Sequence, residues 1–177
     1  MLEGKITRLE AAKIVHEDLL DKLGEPDEEE WQSALLLKDI YDCKKCVRHI
    51  AQVYVKGIIL PRENSVFGMQ DIVSEREKEE ILLRLNDASK RKKPAKAEIP
   101  SITYISEETA AFLKAEGAVF EDVSNEEIFE EIKLNPYSLS DDLSKDIVLR
   151  CERGYMSTLA ANLLISHGYR NVKVIKK

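Results

Sequence analysis

Residues 146–175 read DIVLRCERGYMSTLAANLLISHGYRNVKVI. A short apolar run, Ile147 to Leu149, ends at a cysteine, Cys151, and is followed by the helix-like run STLAANLLISHGY and a second short apolar run, VKVI. The reading is strand, loop, helix, strand. Working outward toward the N-terminus, the same alternation repeats as ITYI, SEETAAFLKAEG, AVFEDV and SNEEIFEEIK. Short strands joined by one helix each predict a mostly parallel sheet with helices on its faces. Ser106 near Thr109, and Ser124 with Glu127 after it, supply helix-start chemistry after two of the strands. Residues 101–177 are therefore expected to form one small α/β domain.

The preceding sequence has a different period. Ile6, Leu9, Ala12, Val15 and Leu19 form a helical stripe opened by Thr7 and Glu10 in a capping-box spacing, and Gly24 and Pro26 close it. The acidic PDEEE run leads into a second helical stretch with Trp31, Leu35, Leu36 and Leu37. Cys43, Cys46, Val47, Ile50, Ala51 and Tyr54 fall on one buried helix face that ends at Gly57. Ser74 to Leu85 is a further amphipathic helix. Residues 1–86 thus read as an all-α module. Residues 87–100 carry the basic run Lys90 to Lys93 and two prolines with little large apolar material, and are expected to be a linker. The fold class is an α+β two-part chain: an all-α N-terminal module, then a small α/β domain with a mostly parallel sheet.

A net charge of -6 argues against general nucleic-acid binding, which needs a basic surface to neutralise phosphates. No stretch approaches the roughly 20 apolar residues of a membrane helix, and the N-terminus has no apolar signal core, so the expected location is cytoplasmic, or the cell envelope if a signal peptide has been removed. Three cysteines are an odd number, and reduced thiols are expected. Cys43 and Cys46 are candidate redox residues by their spacing, weighed against plain core packing on the helical stripe. Zinc is not expected, since no second cysteine pair completes four ligands. His16, His49 and His167 lie far apart and read as ordinary surface or helix-end residues.

With its elements placed this way, the segment from Ile102 to Ile175 resembles a rhodanese domain. The residues that carry the resemblance are Ile105 and Ser106 opening the first helix, Asp122 and Val123 ending the second strand, and the loop Cys151, Glu152, Arg153, Gly154, Tyr155, Met156, Ser157. Ala160, Ala161, Leu163 and Gly168 to Val172 then follow as in the family's last helix and strand. The resemblance implies that Cys151 is the catalytic residue, accepting sulfane sulfur as a persulfide and passing it on. Residues 152–157 would form the persulfide loop, with Asp122 supporting it and no cofactor or metal involved. A loop curled at a helix N-terminus aims backbone N–H groups inward and favours negative sulfur there. Met156 stands where the family's loop has an arginine, Ser124 replaces another, and KLNPYSLSDD replaces the family's His-Ile-Pro-Gly-Ala. Weak thiosulfate activity and a protein sulfur donor or acceptor are the expectation. A cysteine-phosphatase signature is excluded, because its arginine would fall at Ser157.

Residues 6–12, ITRLEAA, with His49 to Ile58, Phe67-Gly68 and the helix opening at Val73 to Glu77, resemble an S-layer homology module. Glu75 occupies a motif arginine's place and barely more than one repeat is present, so polysaccharide binding by this half is not expected. Two functional readings follow. One is a sulfur-handling protein, sulfurtransferase-like if active. The alternative is a non-catalytic scaffold in which both modules bind partners.

Overall fold

A computed structural model describes Leu2, residues 4–95 and residues 99–176. The chain divides into two units, Met1–Ile99 and Pro100–Lys177.

In the first unit, Thr7 starts helix α1 (Arg8–Asp21) with both halves of a capping box. The Glu10 N–H donates to Thr7 Oγ1 at 3.2 Å, and the Thr7 N–H donates to Glu10 Oε2 at 2.7 Å. These satisfy donors that the first turn otherwise leaves orphaned. Helix α1 buries Ala11, Ala12, Val15 and Leu19, and also Arg8 and His16. Arg8 is an internal tie: its Nε donates to Phe67 O at 2.6 Å, another guanidinium nitrogen donates to Leu60 O at 2.5 Å, and a third reaches Glu77. Burial, reinforced by the nearby Arg62 charge, lowers its pKa to about 10. Helix α2 (Val47–Val55) buries Val47, Ile50, Ala51 and Tyr54. Helix α3 (Glu75–Asn86) starts at Ser74, whose hydroxyl accepts from the Glu77 N–H at 3.2 Å.

Three expectations for this unit need correction. The helix expected from Cys43 begins four residues later, because Cys43 is extended (φ -138°, ψ 91°) and 44–46 form a separate 3-10 turn. The thiols of Cys43 and Cys46 are not reduced: the two are joined in a disulfide. His16, on the sequence an ordinary surface residue, is fully buried.

The basic stretch at 87–100 is anchored in its first part. The Arg91 guanidinium donates two parallel bonds to Glu25, at 2.6 and 2.8 Å. The Lys92 N–H donates to Gly57 O at 2.9 Å.

The second unit holds four parallel strands, β1 (Thr103–Ile105), β2 (Val119–Asp122), β3 (Ile147–Arg150) and β4 (Val172–Ile175), in the order β1-β4-β3-β2. Three helices connect them: α4 (Glu107–Ala115), α5 (Glu126–Leu134) and α6 (Tyr155–Ser166). Central strand β3 is buried at Ile147, Val148 and Leu149 alike, as expected of a strand covered on both faces. Val148 packs with Ala110 and Leu113 of α4, and strand alternation sends Ile147 and Leu149 to the opposite face. An α/β layer with a parallel sheet is thus what the alternating pattern encodes. Ser106 caps α4, accepting from the Thr109 N–H at 3.2 Å, whereas α5 is capped by Asn125 rather than Ser124. Among the described residues no helix is long and apolar enough to cross a membrane.

Candidate functional site

Parallel strands bring their carboxyl ends to one edge of a sheet, where loops gather the reactive groups. β2 and β3 are in register with Asp122 opposite Arg150, so the residues just beyond them, Ser124 and Glu152, also come together. Cys151 follows the last residue of β3, and three residues, 152–154, separate it from α6. Gly154 takes φ 78°, a left-handed conformation at little cost for glycine, and turns the chain into the first turn of α6.

That turn points the start of α6 at the sulfur. The Ser157 N–H donates to Cys151 Sγ at 3.3 Å, and Ser157 Oγ lies 3.3 Å from the same sulfur. Ser157 Oγ also donates to Gly154 O at 3.1 Å. A hydroxyl has one proton to give. With a thiol at Cys151, the S–H can donate to Ser157 Oγ while the hydroxyl serves Gly154. With negative sulfur, the hydroxyl must turn and donate to Sγ. The backbone N–H and the positive end of α6 face the sulfur in both states. Cys151 itself is free and only 4% exposed.

A second layer fixes the loop. Ser124 Oγ accepts from the Glu152 N–H at 3.2 Å, and the Ser124 N–H donates to Asp122 Oδ1 at 3.0 Å. Asp122 lies below its ordinary carboxylate pKa: burial would raise it, but the Ser124 hydroxyl and N–H, with the Arg150 charge, outweigh burial. Arg150 Nε stands 3.0 Å from Asp122 Oδ2 as an exposed ion pair, a contact of small energetic weight. Tyr104 OH and Thr158 Oγ1 are 3.2 Å apart, linking β1 to the first turn of α6.

A short stretch of this chain is similar to part of a tRNA sulfurtransferase. The identity is 60% over 35 residues, in the tRNA sulfurtransferases of two strains of Aliivibrio fischeri. The stretch is 20% of this chain, and the chain spans 7% of the length of those relatives. No family model matches the chain, and no solved structure matches it.

Of the residues singled out in the sequence, Cys151, Gly154 and Ser157 form the sulfur cradle, with Asp122 one layer behind. Glu152 contributes its backbone N–H, while its side chain and that of Arg153 are exposed. Tyr155 and Met156 are half-buried at the start of α6. Cys43 and Cys46 belong to the helical unit. Ser124, a helix start on sequence grounds, is instead a clasp on the loop; the signal for that role is the strand register, which sequence alone does not supply.

The helical unit holds a polar cluster that sequence spacing does not reveal. His16 Nε2 is 2.8 Å from Asp27 Oδ1, His16 Nδ1 is 2.9 Å from His49 Nδ1, and Arg48 Nε donates to Asp27 Oδ2 at 2.7 Å. Hydrogen bonds from His16 and Arg48 overcome the burial of Asp27 and hold its carboxyl well below the usual range. Burial, with the His16 and Arg48 charges, lowers the His49 pKa to about 4. His49 is therefore neutral at neutral pH. Among the described residues no group of histidine, cysteine and carboxylate side chains is arranged to hold a metal ion.

Proposed function

We propose that the C-terminal unit is a rhodanese-like sulfur carrier in which Cys151 accepts sulfane sulfur as a persulfide and passes it to an acceptor. The observation that carries this reading is the sulfur cradle: Cys151 Sγ accepts the Ser157 N–H at the N-terminus of α6, where negative sulfur is stabilised. The partial likeness to tRNA sulfurtransferases supports the same chemistry. In the loading step the Cys151 thiolate attacks the outer sulfur of a donor persulfide, R–S–SH. A new Sγ–S bond forms, the donor S–S bond breaks, and R–S⁻ leaves with the electron pair. Unloading repeats the step with an acceptor thiolate as nucleophile, so no external oxidant or reductant is consumed.

Met156 puts a thioether where a cation would attract a small dianion, so thiosulfate is a poor donor and a protein persulfide a better one. The net charge of -6 gives no general hold on nucleic acid, and the partner is a sulfur donor or acceptor protein. The helical unit, which resembles an S-layer homology module, has its motif arginine Arg8 committed to internal bonds and serves as a partner-binding module.

The test is intact-mass analysis of wild type and Cys151→Ser after exposure to thiosulfate or to a persulfide-loaded cysteine desulfurase. The expected result is one added sulfur on wild type from the desulfurase, little from thiosulfate, and none on the variant. A second reading, a non-catalytic scaffold, is favoured by the burial of Cys151, since buried thiols are commonly inert. No added sulfur on either protein under either donor would establish it and overturn the carrier.

A further inference from the structure

We infer that Cys43 and Cys46 form a redox-active disulfide that exchanges with an external dithiol, with Cys43 as the attacked sulfur. This stands apart from the reading of Cys151. Cys46 is the residue immediately before α2, buried at 3% exposure, and Cys43 is half-buried on the extended residue ahead of it. One cysteine is thus partly exposed and the other sheltered, the asymmetry that a two-step exchange requires.

The bond is poorly suited to be a staple. It closes a ring over a sequence separation of 3, which removes little freedom from the unfolded chain. The start of α2 is also held without it. Arg48 pairs with Asp27, His49 meets His16, and Val47, Ile50 and Ala51 are fully buried. Opening the disulfide therefore leaves α2 seated. Lys44 and Lys45 between the cysteines, together with the positive end of α2, favour a departing thiolate at Cys46.

In the first step a thiolate of the external dithiol attacks Cys43 Sγ; the Cys43–Cys46 bond breaks and Cys46 leaves as a thiolate with the electron pair. The second thiol of the dithiol then attacks its own sulfur in the mixed disulfide and releases Cys43. Two electrons and two protons pass to the pair, and the dithiol becomes a disulfide. A protein or small molecule carrying two adjacent thiols is the partner class.

The experiment uses the full chain carrying Cys151→Ser, so that only the pair contributes thiols. It is equilibrated with graded ratios of reduced and oxidised dithiothreitol, quenched with N-ethylmaleimide and weighed intact. Both thiols are expected to become alkylated together, in a single two-electron transition under native conditions, with the circular dichroism unchanged. In a second arm glutathione disulfide is offered to single-cysteine forms, and Cys43 in the Cys46→Ser variant is expected to form the mixed disulfide about tenfold faster than Cys46 in Cys43→Ser. Reduction only in denaturant, reduction that unfolds the helical unit, or equal or reversed adduct rates would overturn the inference. None of these outcomes depends on whether Cys151 carries sulfur.

Discussion

Ser157 touches Cys151 twice, through its backbone N–H and through its hydroxyl, and only the second is removable by mutation. Ser157→Ala keeps the N–H and the helix but removes the donor that turns toward negative sulfur. Sulfur loading of Cys151 is expected to fall about tenfold, the worth of one hydrogen bond to a charged group, with the melting temperature little changed. Mass-resolved loading kinetics against the wild type check this. Ser124→Ala acts one layer out, leaving the Glu152 N–H and the Asp122 carboxylate without their shared hydroxyl. It is expected to cost about 1 kcal/mol of stability in the C-terminal unit, read by urea denaturation. Arg8 differs in kind, because it is 1% exposed and its loss leaves two carbonyl groups unpaired and Glu77 with Arg62 as its remaining cation. Arg8→Ala is expected to destabilise the helical unit by about 3–5 kcal/mol, measured by the shift of the urea midpoint.

At the scale of elements, the strands and α4 to α6 are legible in the sequence because period and punctuation agree. ITYI, AVFEDV, DIVL and VKVI each carry a strand, and Ser106 stands at a helix start in both sequence and structure, whereas α6 begins at Tyr155, two residues ahead of the helix-like run read from Ser157. The start of α2 is not legible. The apolar stripe runs through Cys43, but a stripe counts side chains and ignores the backbone, and the extended Cys43 breaks the helix where the disulfide closes. Residues 87–95 mislead for the opposite reason: their composition lacks apolar anchors, whereas Glu25, held by Arg91 and by buried Lys56, fastens them through charge. Gly57 makes the same junction sterically. It has φ 70°, and a Cβ there would stand 2.3 Å from the Lys92 carbonyl carbon. Gly57→Ala is therefore expected to cost about 2 kcal/mol or more and to expel the basic stretch. Limited trypsin digestion checks it: cleavage after Arg91 and Lys92 should become much faster than in wild type.

At the scale of the whole molecule, the groups with the most displaced acidities lie in the helical unit, and they are invisible in the sequence because they come from separate segments. His16 is on α1, Asp27 on the segment after it, and Arg48 and His49 on α2. His49 titrates at about 4 in the folded chain against an ordinary 6.5. Below 6.5 the unfolded chain takes up a proton that the folded chain refuses, so stability present above that pH is lost progressively as the pH falls toward 4. Glu25 acts in the same direction at lower pH. Its hydrogen bonds from Arg91, offset by burial but joined by Lys56, hold it at about 2 against 4.5, so its contribution is full above 4.5 and fades toward 2. Asp27, held low by His16 and Arg48, adds to that lower range. Trp31 is the sole tryptophan and is buried at 7% exposure in the helical unit, so its fluorescence reports on that unit alone. Thermal melts followed by Trp31 are expected to give a midpoint that falls between about pH 7 and about pH 4.5. His49→Gln, which cannot take up the proton in either state, should flatten that segment of the profile while leaving the Glu25-dependent loss at lower pH in place. A His49→Gln profile parallel to the wild type across that same segment would assign the acid sensitivity to other groups.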